Sequence, residues 1–236
     1  MVDTADARGS VALFQDTEIV CQEAHRGEEN YSSWLLLAVR RALAACSLSL
    51  TELDGYGVCA GPGSFTGLRV GLTTVKAWAE IYGRPVAAVS RLEAFALTRL
   101  LAEEEFVAAF ADARRNQVFA AIYRRTETSL ALRGEESVMR LSDFVTRVNE
   151  EVGDPPVCWV SPDADLLRSS PAWPSLATKG HVLQHVAAPF AVPLGRLAVR
   201  KFASGETVDA VSLDANYVRR SDAEVLWKGN KSALKP

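Results

Sequence analysis

The chain has 236 residues, 48% of them apolar and 23% charged, and its 26 basic and 29 acidic side chains leave a formal net charge of −3. This composition is typical of a globular protein with room for one large core or two smaller ones. It argues against a protein that binds nucleic acid mainly through its own surface, because such a surface usually carries a basic excess. Any RNA would therefore be held mostly by a partner.

The cysteines and the apolar runs indicate where the protein works. Cys21, Cys46, Cys59 and Cys158 are widely spaced and form no Cys-x-x-Cys pair, which argues against a zinc site or a secreted disulfide framework. No charged-then-apolar leader opens the sequence, and no apolar run approaches the length of a membrane span. We expect a cytoplasmic protein with no membrane partner.

Two short strands, 10–14 and 19–21, are predicted near the N-terminus, where apolar runs flank a polar turn. The pair Asp3-Thr4 stands before them, after a single apolar residue, Val2. The strand that precedes this acidic residue is therefore predicted to be very short.

A first helix is predicted over about 34–46, with Ser32 or Ser33 as its N-cap. Leu35 and Val39 fall on one face at helical spacing, but most of the remaining surface is apolar too. A helix that is apolar nearly all round is usually covered on two sides. The second side is covered either by the same domain or by another protein.

A glycine-rich turn follows the next predicted strand, 56–60, and leads at once into a second helix over about 66–82. Glycines allow positive φ and close backbone approach, and the free N–H groups at a helix start can receive an anion such as a phosphate. The residues of such a nucleotide or anion loop would be Gly61, Gly63, Ser64, Thr66 and Gly67.

The alternative interpretation of this turn is a tight strand-to-helix connection. It lacks the Gly-Lys-Ser/Thr ending and the Gly-x-Gly-x-x-Gly pattern of known phosphate loops. Ser64 or Thr66 then serves only as the N-cap of the helix.

The helix over 66–82 has the same apolar excess as the helix over 34–46, and two interpretations stay open for both. If the pair docks against a partner, the helices bury their apolar faces against matching helices; if not, the same side chains are core. The six residues to which both interpretations apply are Leu35, Val39, Leu68, Leu72, Val75 and Trp78.

The pattern as a whole predicts an α/β protein of two domains, residues 1–103 and 104–236, each a mixed sheet flanked by helices. A strand at 86–89 and a helix at 91–103 complete the first domain. The elements predicted for the second are a hairpin of strands 106–111 and 118–123 around the turn 112–117, a strand near 129–132, a connection through 134–136, a helix near 141–151, a strand at 157–160 and a helix at 194–202.

His181 and His185 have the spacing of a metal-binding pair. The Glu of His-Glu-x-x-His is absent and no third ligand is evident, so we predict a strand with the two histidines on one partly exposed face and no metal site. No nucleophile with a plausible base stands out, and no catalytic residue is predicted.

Three stretches are specific as strings. They are Gly-Pro-Gly-Ser-Phe-Thr-Gly-Leu-Arg-Val-Gly at 61–71, Asp-Ala-Arg at 112–114 with Asn116 at a glycine position, and Asn-Tyr-Val-Arg at 216–219 with Ala215 at a proline position. In order and spacing, and with Asp3-Thr4, they resemble the signatures of the TsaB family of the bacterial tRNA threonylcarbamoyladenosine system. The resemblance covers most of the chain and implies two actin-like ATPase domains of the ribonuclease H-like type.

The resemblance also implies a function. Proteins of the TsaB family bind TsaD, the subunit that transfers threonylcarbamoyl to the adenosine beside the anticodon of tRNA, and a TsaE ATPase joins the complex. By this resemblance the chain is a non-catalytic dimerisation subunit that contacts tRNA indirectly. When alone, it is either a monomer or a homodimer. It needs no cofactor of its own, and ATP or ADP and metal are held by the partner or at the subunit boundary.

Two other functions are weighed against this one. A nucleotide-dependent phosphotransferase would place Asp3 and the loop 61–67 around the phosphates. A peptidase is an old label for relatives in this superfamily, and nothing in the sequence resembles a protease site.

Overall fold

The computed structural model describes residues 1–27, 29–99, 104–126 and 129–218. The end of the helix predicted over 91–103 and the last residue of the third signature, Arg219, lie outside this part of the chain.

A five-stranded mixed sheet forms the first half. Its strands are β1 (Val2–Asp3), β2 (Ser10–Gln15), β3 (Glu18–Ala24), β4 (Tyr56–Gly61) and β5 (Val86–Ser90). They are ordered β3-β2-β1-β4-β5, with β1 to β3 antiparallel and β4 and β5 parallel to β1. Every residue of β4 is buried, as expected of an apolar strand that is covered on both faces, and β3 lies at the edge of the sheet.

The second half repeats this topology. Its strands are β6 (Phe106–Arg114), β7 (Gln117–Arg125), β8 (Leu130–Arg140), β9 (Val157–Ser161) and β10 (Val182–His185). The order β10-β9-β6-β7-β8 is that of the first sheet, with an antiparallel meander followed by two strands parallel to its first member. The predicted class, α/β with two mixed sheets flanked by helices, is confirmed.

Seven α-helices connect and cover the strands in the described part of the chain. They are α1 (Tyr31–Ala45), α2 (Phe65–Tyr82), α3 (Arg91–Leu97), α4 (Leu141–Val152), α5 (Asp165–Arg168), α6 (Trp173–Thr178) and α7 (Ala191–Ser204). The N-cap of α2 is Ser64, as predicted, and Gly83 ends the helix in a left-handed conformation. The caps predicted for α1 are wrong: Asn30 precedes the helix, and Ser32 and Ser33 lie in its first turn.

The helices that end the two halves form the layer between the sheets. Helix α3, which follows the first sheet, packs mainly on the second, and α7, which follows the second sheet, packs on the first. The two helices also pack on each other, with the rings of Phe95 and Phe190 5.2 Å apart. Along the chain, the predicted domain boundary at residue 103 separates the strands of the first sheet from those of the second. The layer of α3 and α7, however, is shared by both halves.

Some predicted elements have other bounds. The connection predicted through 134–136 lies inside β8, because a bulge there sets these three residues of β8 against the single residue Ala121 of β7. The strands of the hairpin extend to Arg114 and from Gln117, so its turn is shorter than predicted. Asn116 is left-handed, with φ of 58°.

His181 is a buried residue and not a partly exposed one. Its Nδ1 accepts hydrogen bonds from the N–H of Val157, at 3.2 Å, and from the indole N–H of Trp159, at 3.3 Å. His185 at the end of β10 is exposed. The prediction that the two share a partly exposed face is therefore wrong, because His181 lies just before β10 and is buried against Val157 and Trp159.

We expect Leu72→Glu to unfold the chain or to cost about 4 kcal/mol or more in the free energy of unfolding, because it places a charge in the first core. Leu72 is 8% exposed and lies on the buried face of α2. Ile81→Glu on the same helix, at a side chain that is 71% exposed, is the matched control and should change stability by less than about 0.5 kcal/mol. Urea unfolding followed by circular dichroism measures both, and equal midpoints for the two variants would show that the face of Leu72 is exposed in solution.

Candidate functional site

The glycine-rich turn begins with a position that requires glycine. Gly61 has φ of 128°, a conformation that residues with a Cβ rarely adopt. A Cβ there would also lie 2.6 Å from the carbonyl oxygen of Asn216. Asn216 belongs to the C-terminal segment that crosses the turn, and its N–H donates to the carbonyl of Ala60 at 2.7 Å.

The other glycines bring the turn against the chain that follows β1. A Cβ on Gly63 would lie 2.5 Å from the carbonyl oxygen of Ala5, and one on Gly67 would overlap the carbonyl oxygen of Thr4. The Ser64 N–H donates to the Ala5 carbonyl at 2.6 Å, and the Thr4 hydroxyl donates to the Gly67 carbonyl at 2.7 Å. Close backbone packing, the second interpretation of the turn, is therefore sufficient to explain the glycine spacing.

Four of the five predicted loop residues nevertheless face open space. Gly63, Ser64, Thr66 and Gly67 line a cleft of about 940 Å³, whereas Gly61 does not. The cleft lies between the two halves, and its opposite wall is the tip of the β6–β7 hairpin, residues 112–115. A helix start at a cleft can receive an anionic group. Anion binding by this loop therefore stays a prediction.

A buried arginine lies at the base of this cleft. Arg91, at the start of α3, is 2% exposed, and its guanidinium is hydrogen-bonded to the carboxylate of Asp6. Asp3 is fully buried beside it; one carboxylate oxygen accepts from the Ala5 N–H at 3.0 Å, and the other has no hydrogen-bond partner among the described residues. The acidic residue predicted to face a phosphate is thus enclosed and is not part of the cleft lining.

The charges of this cluster set one another's pKa. Burial raises the pKa of Asp3, against the opposing charge of Arg91. Desolvation also acts on Asp6, but the guanidinium groups of Arg91 and Arg8 outweigh it and hold the pKa of Asp6 below its ordinary value. Although burial opposes its charge, the pKa of Arg91 is raised by the two carboxylates. We infer a cluster that is balanced internally and has little charge left for a ligand.

One ion pair of the cluster joins the two halves. The Arg8 guanidinium donates to Asp6 Oδ2 at 3.0 Å and to Asp163 Oδ1, in the second half, at 3.0 Å. Asp163 Oδ2 in turn accepts from the N–H of Asp112, in β6, at 2.8 Å. The guanidinium also stacks over the ring of Phe190, 5.0 Å from its centroid. The relative position of the cleft walls therefore depends on these charges.

A second polar cluster holds the C-terminal segment in place. The carboxylate of Glu136 accepts from Ser90 Oγ, from the Tyr123 hydroxyl at 3.1 Å and from Asn216 Nδ2 at 2.6 Å. Burial raises the pKa of Glu136, and the three donors oppose that shift. Residues 216–218 line the first cleft and a neighbouring one of about 820 Å³, so this segment separates the two. Sequence reasoning placed Glu136 in a connection and missed its role.

The six predicted interface residues lie mostly inside the protein. Five of them are buried in the first core: Leu35, Val39, Leu68, Leu72 and Val75. Trp78 is half-buried, with its ring centroid 5.9 Å from that of Tyr56. In the chain by itself these faces are occupied by the sheet and by each other, so a partner contact by this helix pair has to use the outward positions.

Those outward positions are themselves apolar. Leu36 and Leu37 of α1 are 55% and 51% exposed, although leucine usually lies inside a protein. Leu36 borders two shallow depressions, one of about 390 Å³ towards Trp78 and one of about 480 Å³ towards Phe65. We call this surface the α1–α2 face. The helical pattern could have identified it, because Leu36 and Leu37 stand off the stripe formed by Leu35 and Val39.

Metal-binding side chains and membrane-spanning helices are two further features that bear on function in the described part of the chain. Its histidine, cysteine, aspartate and glutamate side chains do not form a group of three or more that could hold a metal ion. None of its helices combines the length and the apolar character needed to cross a membrane.

Comparisons with known proteins give a consistent result. A family model described as TsaD, tRNA N6-adenosine threonylcarbamoyltransferase, matches residues 19–154, which is more than half of the chain. The tRNA threonylcarbamoyladenosine biosynthesis protein TsaB of Escherichia coli is 30% identical over 96% of this chain and 95% of that protein. The protein of the same description from Bacillus subtilis is 28% identical over 96% of each.

A solved structure extends the similarity to the fold. A crystal structure from Pseudomonas aeruginosa, of a protein described by its similarity to peptidase YeaZ, has a TM-score of 0.75 and 26% identity, and the match covers 92% of this chain and 97% of that one. The predicted fold of two mixed sheets flanked by helices is confirmed, and this solved structure shares it.

We expect Arg91→Met to lower the free energy of unfolding by about 3–5 kcal/mol, because it leaves the buried carboxylate of Asp3 without a countercharge and leaves Asp6 with only Arg8. Arg168→Met, which removes an exposed pair with Asp165, is the matched control and should cost less than about 1 kcal/mol. Chemical unfolding at neutral pH measures both. A loss at Arg91 no larger than at Arg168 would contradict the structural role assigned to the cluster.

Proposed function

Because the chain belongs to the TsaB family, we propose that it acts in the biosynthesis of threonylcarbamoyladenosine in tRNA, as a non-catalytic subunit that binds a TsaD-like partner. Relatives that match almost the whole chain carry that biosynthetic description, which supports the pathway. The α1–α2 face is the observation that carries the role of partner binding.

The chemistry of the cleft supports a non-catalytic role. Both aspartates that line it, Asp6 and Asp112, are paired with arginines, and Asp3 is enclosed behind Arg91. A phosphotransferase needs carboxylates that reach a metal ion or a nucleophile at the phosphates. Asp6 and Asp112 are instead engaged with arginines of the chain, and Asp3 does not line the cleft.

The α1–α2 face supports partner binding. Leu36 and Leu37 each expose more than half of their surface on one helix, and the two depressions beside Leu36 are lined by apolar and polar residues of both helices. A partner helix laid across the face would remove these leucines from water, which is worth about 25 cal/mol per Å² of apolar surface. We propose that the TsaD-like subunit occupies this face, and that the chain alone forms a homodimer through it.

The remaining members of the complex follow from the same proposal. With a net charge of −3, the chain leaves most of the tRNA contacts to its partner. ATP or ADP, with any metal, is held by the TsaD-like subunit or at the boundary formed with the 61–67 loop, and a TsaE-like ATPase joins the assembly. The chain then works in the cytoplasm, where tRNA is modified.

A double variant tests the docking face. We expect Leu36→Glu/Leu37→Glu to weaken binding of the TsaD-like subunit of the same organism at least about 30-fold, because leucines at the centre of an interface become buried charges. Leu132→Glu, an exposed leucine of β8 in the other half, is the matched control and should bind as the parent does. Size-exclusion chromatography with light scattering, with a titration for affinity, measures the complex.

The outcomes of this experiment separate the proposals. A one-to-one complex that the double variant loses and the control keeps supports the docking face. A complex that both variants keep moves the interface elsewhere on the chain. No complex with or without ATP would contradict the partner-binding role.

The phosphotransferase alternative predicts tight ATP binding by the isolated chain, lost in Ser64→Pro and Asp3→Ala. We expect instead that the isolated chain binds ATP no more tightly than about millimolar, because a single helix start with internally paired charges provides few contacts. Isothermal titration calorimetry measures this, with the partner complex as the positive control. Micromolar binding and ATP turnover by the chain alone would favour the enzyme.

The name peptidase belongs to a relative and finds no support in the histidines of this chain. His181 Nδ1 accepts from Val157 and Trp159, and His25 Nε2 bonds to the carbonyl of Glu29. Neither of these contacts is the pairing with a serine or cysteine that an activated nucleophile needs.

A further inference from the structure

The two helices of the α1–α2 face are basic, although the chain as a whole is slightly acidic. Together α1 and α2 contain four basic residues and one acidic residue, Glu80, whereas the whole chain has a formal net charge of −3. The four basic residues are Arg40, Arg41, Arg69 and Lys76. A protein that approaches these helices therefore meets a locally positive surface.

Two of the four cations are engaged within the chain. The Arg41 guanidinium pairs with the carboxylate of Glu23 at 3.1 Å. The Lys76 ammonium donates to the carbonyl oxygens of Val211 and Leu213, at 3.4 and 3.2 Å. Their positive charges are thus directed at other parts of the same molecule.

The other two cations, Arg40 and Arg69, are exposed and flank the apolar part of the face. Arg40 borders the depression of about 390 Å³, Arg69 borders the one of about 480 Å³, and Leu36 lines both. The Arg69 guanidinium lies over the ring of Phe65, 3.8 Å from its centroid, and its Nε–H donates to the Tyr217 hydroxyl at 3.4 Å. Neither arginine is paired with a carboxylate of the described residues.

The depressions themselves offer these arginines no countercharge. The described residues that line them include no aspartate and no glutamate. Glu80 is an exposed residue of α2, but it belongs to neither lining. A partner that covers Leu36 also removes water from the two guanidinium groups, and this costs affinity unless the partner supplies carboxylates.

We propose that Arg40 and Arg69 make the α1–α2 face selective for an apolar surface flanked by carboxylates, and disfavour a second copy of the chain. This inference rests on the proposed function, in which the TsaD-like subunit occupies the face. In that complex, carboxylates of the subunit pair with both arginines.

A homodimer through the same face has a different charge balance. Because a two-fold dimer brings the same patch of both copies together, the guanidinium groups of one copy meet those of the other, with no carboxylate in the described linings. Like charges across an interface lower affinity, and opposite charges raise it and speed association. The face therefore favours the acidic partner over its own copy.

The two assemblies should respond to salt in opposite directions. Between about 0.05 and 0.5 M NaCl the Debye length falls from about 14 Å to about 4 Å. Screening weakens the attraction in the complex and the repulsion in the homodimer. Over this range we expect the Kd of the complex to rise about 10-fold and the Kd of the homodimer to fall about 3-fold.

The test is the double variant Arg40→Gln/Arg69→Gln, which removes both charges and keeps polar side chains. At 0.05 M NaCl we expect it to bind the TsaD-like subunit of the same organism about 10-fold more weakly than the parent does, and to dimerise about 3-fold more tightly. Both equilibria should lose most of their salt dependence. Titration calorimetry measures the complex, and sedimentation equilibrium of the isolated chain measures the homodimer.

The matched control is Arg196→Gln/Arg200→Gln. It removes the same charge from two exposed positions one turn apart on α7, away from the α1–α2 face. Its two equilibria and their salt dependence should equal those of the parent. Urea unfolding of both double variants, with the midpoint of the parent as reference, shows that the substitutions leave the fold intact.

The outcomes separate this inference from the proposed function. A complex whose Kd does not rise with salt, or one that Arg40→Gln/Arg69→Gln keeps at the affinity of the parent, would overturn the selection by charge and leave partner binding in place. A homodimer that weakens with salt, or a double variant that dimerises no more tightly than the parent, would overturn the repulsion between copies. No complex at any salt concentration would contradict the proposed function, and this inference with it.

Discussion

A buried guanidinium is the interaction on which the rest of this structure depends. Arg91 is 2% exposed and lies between the carboxylates of Asp3 and Asp6, which come from the first strand and from the turn after it. Burying one of these charges alone would be costly, and each is tolerated because the others are present. Arg8 extends the cluster to Asp163 in the second half. The position of the two halves, and with it the cleft at the glycine-rich turn, therefore follows from charge balance as much as from apolar packing.

The repeated topology explains why the apolar helices divide as they do. Each half is an antiparallel meander followed by two parallel strands, and each ends in a helix that packs against the sheet of the other half. This exchange places α3 and α7 between the sheets and leaves α1 and α2 on an outer surface. A helix on an outer surface buries one stripe and exposes the other. The stripe of Leu35 and Val39 is core, and Leu36 and Leu37 are exposed.

Much of the fold could be predicted from local patterns. The glycine-rich turn, Ser64 as one of its two cap candidates, and most of the strands and longer helices were visible in the sequence, because turn chemistry, capping and hydrophobic period act over a few residues. The short helices α5 and α6 were not predicted. The candidate site was harder to predict from the sequence. Asn216 and Glu136 are 80 residues apart in the chain and are joined by a hydrogen bond of 2.6 Å, and no local pattern records such a pairing. The role predicted for Asp3 at a phosphate required its carboxylate to be exposed in the cleft. The sequence does not state exposure, and Asp3 is buried.

The sequence by itself determined the fold class, the family and the slightly acidic net charge, since composition and specific strings carry that information without reference to distant residues. It also determined that α1 and α2 are apolar on more than one side. Only the tertiary structure decided which side is core and that the charges at Arg91 are paired with one another. The reason is physical: burial and charge pairing are properties of three-dimensional neighbours, and the neighbours that matter here come from different elements of the fold.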